Sequence, residues 1–158
     1  LSNTNMDVIC SGAKSILDLD KTFEKLETLG VSRIGINTNY MPGFYYHQTN
    51  KKVDFNFLKI NKLNDYLKTR EKINQKGSVL LFNPVPKKRA IEKKLIEKWI
   101  KSSVKKATTN SIQGKDLTPY LLAEIAKLSN NKTLETNMHL IINNAKTAGI
   151  IASDYYKN

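Results

Sequence analysis

The sequence predicts an α/β fold, a parallel sheet with helices on its faces. Three observations predict it. Short apolar runs at 6–10, 31–36 and 78–82 are bounded by Gly, Pro, Ser or Asn. Longer stretches between and after them space their apolar residues as helices do. The two kinds alternate along the chain, the signature of strands joined through helices rather than hairpins. With 158 residues, 40% of them apolar, the chain has the means for a real core, since a chain of this size buries about two-thirds of its surface.

The first run, 6–10, is a strand, and Ser11-Gly12-Ala13 turns the chain away from it. Asp18 or Asp20 caps a helix carrying Phe23, Leu26 and Leu29, which Gly30 closes. A second strand follows at 31–36. Residues 37–52 form a loop with Pro42, Gly43 and the aromatic cluster Phe44, Tyr45 and Tyr46. A helix is expected over 58–76, anchored by Leu63, Leu67 and Ile73 and ended by Gly77. The third strand, 78–82, stops at Asn83-Pro84-Val85-Pro86, because proline cannot donate to a ladder. A basic amphipathic helix over 87–107 bears Leu95, Ile96, Trp99 and Ile100. Thr118-Pro119 opens another helix, a capping hydroxyl followed by proline in the first turn. The last helix, 133–155, has an apolar stripe of Leu134, Met138, Ile141, Ala145, Ala148 and Ala152. Three strands are few for such a sheet, so part of the fold is expected outside this chain.

Composition narrows the function. The net charge is +12, carried by 23 lysines and only three arginines, beside 17 asparagines and 15 isoleucines. Nucleic-acid readers favour arginine for bidentate base contacts. The lysines here are also scattered, which reads as solvated faces and argues against nucleic acid as the partner. No apolar run approaches the ~18 residues of a membrane span. The single Cys10 excludes an internal disulfide framework and a Cys-rich zinc site. Leu1 opens the sequence without a basic and apolar leader behind it, so a processed product or fragment in the cytoplasm is the expectation.

Several residues have chemical potential. Lys14 follows a strand and precedes a helix, where α/β proteins bind ligands and free helix N–H groups meet phosphates. Its amine could hold an anion or attack a sugar carbon, or it could be one solvated lysine among many. Gly12-Ala13-Lys14-Ser15 is not a P-loop, because that motif needs glycine where Ala13 and Val8 stand. Asn137 and Asn144 fall together on the edge of the last helix's stripe, suited to a structural hydrogen bond or to a ligand. Tyr45, Tyr46 and His47 could line a pocket or form a solvent-edge cluster. His139 reads as a surface residue, and Cys10 as a small core residue rather than a nucleophile.

Taken together, these segments resemble one family, the pseudouridine-5′-phosphate glycosidases. The resemblance rests first on Val8-Ile9-Cys10-Ser11-Gly12-Ala13-Lys14-Ser15-Ile16-Leu17-Asp18 and on Leu26-Glu27-Thr28-Leu29-Gly30-Val31. Thr38, Pro42, Phe44-Tyr45, Val53-Asp54-Phe55, Asn83-Pro84-Val85-Pro86, Gly114-Lys115, Thr118-Pro119-Tyr120-Leu121-Leu122, Leu134-Glu135-Thr136-Asn137 and Asn143-Asn144-Ala145 follow in the same order. The resemblance implies an α/β/α sandwich of which residues 1–158 are the carboxy-terminal half, within a homotrimer. It implies reversible cleavage of pseudouridine 5′-phosphate to uracil and ribose 5-phosphate with a divalent metal, typically manganese. Lys14 matches the lysine that forms a covalent adduct with the sugar, and Asn137 matches a ligand-contacting asparagine. No metal ligand is implied within this chain, because the family's metal aspartate lies upstream of the Lys14 strand, in the other half. The family's second active-site lysine, its glutamate and its phosphate-binding residues lie there too. Asn39 and Tyr40 stand where acidic residues are common in the family, and His47 near a common arginine. A diverged, non-catalytic relative with an assembly or regulatory role, and a basic nucleic-acid-binding domain, are the alternative expectations.

Overall fold

The computed structural model describes residues 1–157. Strands β1 (Asp7–Cys10), β2 (Ser32–Ile36), β3 (Phe55–Phe57) and β4 (Val79–Phe82) form one sheet in the order β1-β4-β2-β3, every pair parallel. The expected parallel α/β architecture is therefore present, with four strands rather than three. The addition, β3, is too short for an alternating pattern to show in the sequence. Asp54 seats it: its backbone N–H donates to the Arg33 carbonyl (2.8 Å) and its carboxylate accepts from the Arg33 N–H (2.8 Å). In register, Cys10 lies beside Phe82, Phe82 beside Gly35, and Ile36 beside Phe57, so all four strands end at one edge.

The helices are α1 (Leu19–Thr28), α2 (Ile60–Lys72), α3 (Lys93–Thr109), α4 (Leu117–Leu128) and α5 (Lys132–Tyr155). Asp18 is the N-cap of α1, accepting from Lys21 N–H at 3.0 Å. Three expected boundaries move. Helix α2 ends at Lys72 rather than at Gly77, because Asn74 already takes the left-handed conformation (φ 53°). Helix α3 begins at Lys93, not 87. Pro86 and Ala90 are extended, so Lys87–Arg89 makes only one 3₁₀ turn before the chain restarts. Thr118 does not cap α4, which starts at Leu117 after the 3₁₀ turn Gly114–Asp116. Pro119 does lie in that first turn, where a missing N–H costs nothing.

Chain direction places the helices. The crossover β1–α1–β2 and the crossover β3–α2–β4 run in opposite directions across the sheet, so right-handed connections set α1 and α2 on opposite faces. Side chains of the strands alternate accordingly. On one face Val8, Cys10, Leu80 and Phe82 meet Phe23 and Leu26 of α1. On the other, Ile9, Ile34, Ile36, Val79 and Leu81 meet Leu63 and Leu67 of α2 and Ile151 of α5. All four residues of β4 are buried.

The apolar stripe of α5 is largely uncovered. Leu134, Met138 and Ile141 are each more than half exposed, whereas Thr133, Thr136, Leu140 and Ile151 are buried. Polar anchors orient the helix this way: Thr136 Oγ1 donates to the Arg89 carbonyl (2.9 Å) and Asn143 Nδ2 to the Pro84 carbonyl (3.2 Å).

Candidate functional site

The carboxyl edge of the sheet carries the site. Beyond Cys10 the chain turns through Gly12, whose φ of 90° and close approach to another loop exclude any other residue: a Cβ would sit 2.0 Å from the Pro42 carbonyl oxygen. The turn is held on both sides. Ser11 Oγ donates to the Asn83 carbonyl (2.8 Å), and the Ser11 carbonyl accepts from Phe44 N–H (2.9 Å). Asn83 N–H donates to the Cys10 carbonyl (2.8 Å), and Ser15 Oγ to the Gly43 carbonyl (2.5 Å). Between Ser11 and Ser15 stands Lys14, with its side chain exposed and its carbonyl accepting from Leu17 N–H (2.9 Å). The result is an exposed cationic arm on a fixed base, at the strand ends where open α/β sheets bind ligands.

The two stripe-edge amides separate in role. Asn144 Oδ1 accepts from Asn83 Nδ2 (3.0 Å) and lies 3.3 Å from Ser11 Oγ. Asn83 Nδ2 also donates to Thr147 Oγ1 (3.1 Å). Asn144 thus makes the structural bond to a loop, joining α5 to the ends of β1 and β4. Asn137 is two turns earlier, half-buried, next to the Thr136 anchor. The hub residue Asn83 was legible only as part of a strand stop, since its neighbours on α5 are some sixty residues away. Asn144→Ala deprives the Asn83 amide of one of its two acceptors, leaving one of its hydrogens unpaired, and loss of such a hydrogen bond costs about 1 kcal/mol. A lowered urea midpoint with an unchanged m-value is the expected outcome.

Other expectations resolve differently. Asp18 occupies the α1 start that was expected to offer free N–H groups to a phosphate. The hydrogen bond from Lys21 N–H holds its carboxyl below the ordinary range, so an anion already sits there. Tyr45 and Tyr46 do not form a surface cluster. Both are buried against Ile96 of α3. His47 is half-buried with Nδ1 3.1 Å from the Val85 carbonyl, so that nitrogen carries the hydrogen. His139 is half-buried rather than a free surface residue. Asn39 accepts from Asn56 Nδ2 of β3 (3.0 Å), and the Tyr40 carbonyl accepts from Thr38 Oγ1 (2.8 Å), both internal ties of the loop. Among the described residues no three His, Cys, Asp or Glu side chains converge, and no helix is long and apolar enough to cross a membrane.

Cys10 packs in the core beside α1, as read from the sequence, and burial pushes its thiol up to about 11 from the usual 9.0. The folded protein therefore holds the proton more tightly than the unfolded chain. The corresponding stability is full below pH 9 and is lost as pH rises through 11. At pH 8 alkylation of Cys10 is expected only after denaturant is added, a difference that intact-mass measurement reads directly.

The match to known proteins decides the family. The model of the indigoidine synthase A like family covers residues 1–154. The chain belongs to this family. It is 41% identical over 155 residues to the pseudouridine-5′-phosphate glycosidase of Brachyspira hyodysenteriae, covering 98% of this chain and 50% of that protein. It is 42% identical over 152 residues to the glycosidase of the same name from Staphylococcus aureus, covering 96% and 50%. The fold agrees with the prealnumycin C-glycosynthase AlnA, solved in complex with ribulose 5-phosphate, at a TM-score of 0.90 and 27% identity over 98% of this chain and 51% of that one. An indigoidine synthase A-like protein from Thermotoga maritima gives a TM-score of 0.82 at 28% identity over 96% and 50%. The chain spans about half the length of the curated relatives it matches. As an indigoidine synthase A like protein, it carries the Lys14 turn and all of α5 but its last residue within the matched region.

Proposed function

We propose that this chain is the lysine-bearing half of a pseudouridine-5′-phosphate glycosidase. In that enzyme the C–C glycosidic bond is cleaved reversibly to give uracil and ribose 5-phosphate. The observation that carries the reading is Lys14 on its braced turn at the sheet's carboxyl edge, in a chain 41% identical to such an enzyme along nearly all its length. A C-glycoside offers no leaving oxygen to protonate, so a nitrogen nucleophile answers the chemical problem. The Lys14 amine bonds to C1 as the ring C1–O bond breaks and the ring oxygen takes a proton. The nitrogen lone pair then forms C1=N while the C1–C5 bond to uracil breaks and the uracil carbon takes a proton. Water adds to the iminium and releases ribose 5-phosphate and the free amine. The net change is substrate plus water to uracil plus sugar phosphate.

The amino-terminal half of the fold completes the site in this reading. A divalent metal such as manganese belongs to the proposal as well. In this reading its ligands belong to that other half, and no step is routed through it. The homotrimer and the cytoplasmic setting are part of the same proposal. Asn137 is assigned to ligand contact, favoured by its half-buried place two turns from the Asn83–Asn144 hub. Asn137→Ala in the assembled enzyme is expected to raise KM for pseudouridine 5′-phosphate about tenfold, as loss of one hydrogen bond to a charged or polar ligand does. The function itself is tested by following uracil release from pseudouridine 5′-phosphate by the assembled protein with manganese. Release, and its reversal with excess uracil and ribose 5-phosphate, is the expected result. An assembled protein that supports neither direction refutes it.

A further inference from the structure

Lysines that are scattered along the sequence gather on α3 in the fold. Lys94, Lys98, Lys101 and Lys105 recur at intervals of four, three and four residues, which sets them on one line of the helix. That line runs opposite the side α3 buries through Ile96, Ser103 and Ala107. All four lysines are exposed. Among the described residues, no ion pair or hydrogen bond engages their ammonium groups. The α3 cations that do pair lie off the line: Lys93 with Glu97 (3.6 Å) and Lys106 with Glu124 (2.8 Å). Glu97 is the only acidic residue within α3, and Lys93 already engages it. Lys87, Lys88 and Arg89, also exposed, add charge of the same sign on the 3₁₀ turn just before the helix.

We propose that this lysine line is a binding surface for a nucleic-acid strand, held through its phosphates and without regard to base sequence. The proposal does not depend on the glycosidase reading. Charge selects the occupant. The line carries no arginine, so it lacks the fork that reads base edges. Ammonium groups meet phosphates as point charges, which is all that backbone binding needs. Scarcity of arginine therefore argues against sequence readout and leaves phosphate contact open. Successive lysines are about 4.5–6 Å apart along the axis, over about 16 Å in all, so phosphates of one strand can be met in turn. A folded protein is the poorer occupant, because protein interfaces are depleted of lysine and centre on apolar or aromatic anchors. A lipid surface takes up the apolar side of an amphipathic helix. Here that side, with Ile96, Trp99 and Ile100, is packed against Tyr45 and Tyr46.

The test follows the fluorescence anisotropy of labelled oligouridylate and oligothymidylate titrated with the assembled protein at several salt concentrations. Both are expected to bind alike. Affinity is expected to fall about fiftyfold between about 50 and 200 mM salt, the loss that four phosphate contacts on a single strand produce. Lys98→Gln with Lys101→Gln is expected to reduce that fall to about sevenfold, and glutamine at all four positions to abolish binding, with unchanged far-UV circular dichroism. A control variant with glutamine at Lys25, Lys59, Lys72 and Lys146, all exposed and off α3, removes the same charge and is expected to keep the salt dependence. Absence of binding at low salt, binding that ignores salt, or equal losses in the control and the α3 variants overturns the proposal. Tighter binding of polyglutamate than of either oligonucleotide at matched length overturns it in favour of an acidic protein.

Discussion

Lys14→Ala in the assembled protein is expected to lower kcat for uracil release by at least about 10³-fold, because the covalent route loses its nucleophile. The fold should not register the change. Lys14 is exposed, and its contribution to the turn is a backbone carbonyl that alanine supplies equally well. Lys14→Arg separates charge from nucleophilicity: it keeps the cation and removes the amine, so binding persists while turnover is lost. An equal rise in KM for both variants with kcat intact would reduce Lys14 to an anion-binding role.

Gly12→Ala carries the largest expected effect on stability. The left-handed backbone at φ 90° disfavours a side chain by about 1–2 kcal/mol. The Cβ would also meet the Pro42 carbonyl oxygen at 2.0 Å, and relief of such overpacking costs about 1–3 kcal/mol more. Neither atom is at the end of a flexible side chain, so the two loops must part. The bonds from Phe44 N–H to Ser11 and from Ser15 to Gly43 would go with them. Thermal unfolding of Gly12→Ala is expected well below that of the parent, together with weakened activity from a displaced Lys14. An unchanged midpoint would show that the turn is looser than its geometry implies.

The sequence made some of this legible and hid the rest for identifiable reasons. Strands of four or five residues rich in apolar side chains, the Asp18 cap and the α/β alternation are local signals, and they held. β3 was invisible because three residues cannot display a period, and its pairing depends on Asp54 reaching Arg33, a tertiary contact. The start of α3 was misplaced because the helical spacing of its apolar residues runs on through a segment that Pro86 and Ala90 keep extended. The stripe on α5 was legible as a face, and the structure leaves much of that face exposed. Apolar periodicity identifies a face that wants cover without saying which part of a fold supplies it. At the site, the Lys14 turn was legible because its chemistry lies in consecutive residues. The Ser11–Asn83–Asn144–Thr147 network was not, because it assembles from three elements distant in sequence.

The central claim is that Lys14 bonds covalently to the sugar. The most direct measurement incubates the assembled protein with pseudouridine 5′-phosphate and manganese, reduces with borohydride, and maps the product by intact and peptide mass spectrometry. The account predicts one added pentose phosphate on the peptide bearing Lys14, absent from Lys14→Ala. Active turnover with an unmodified Lys14 peptide, or an adduct on a different lysine, would contradict it.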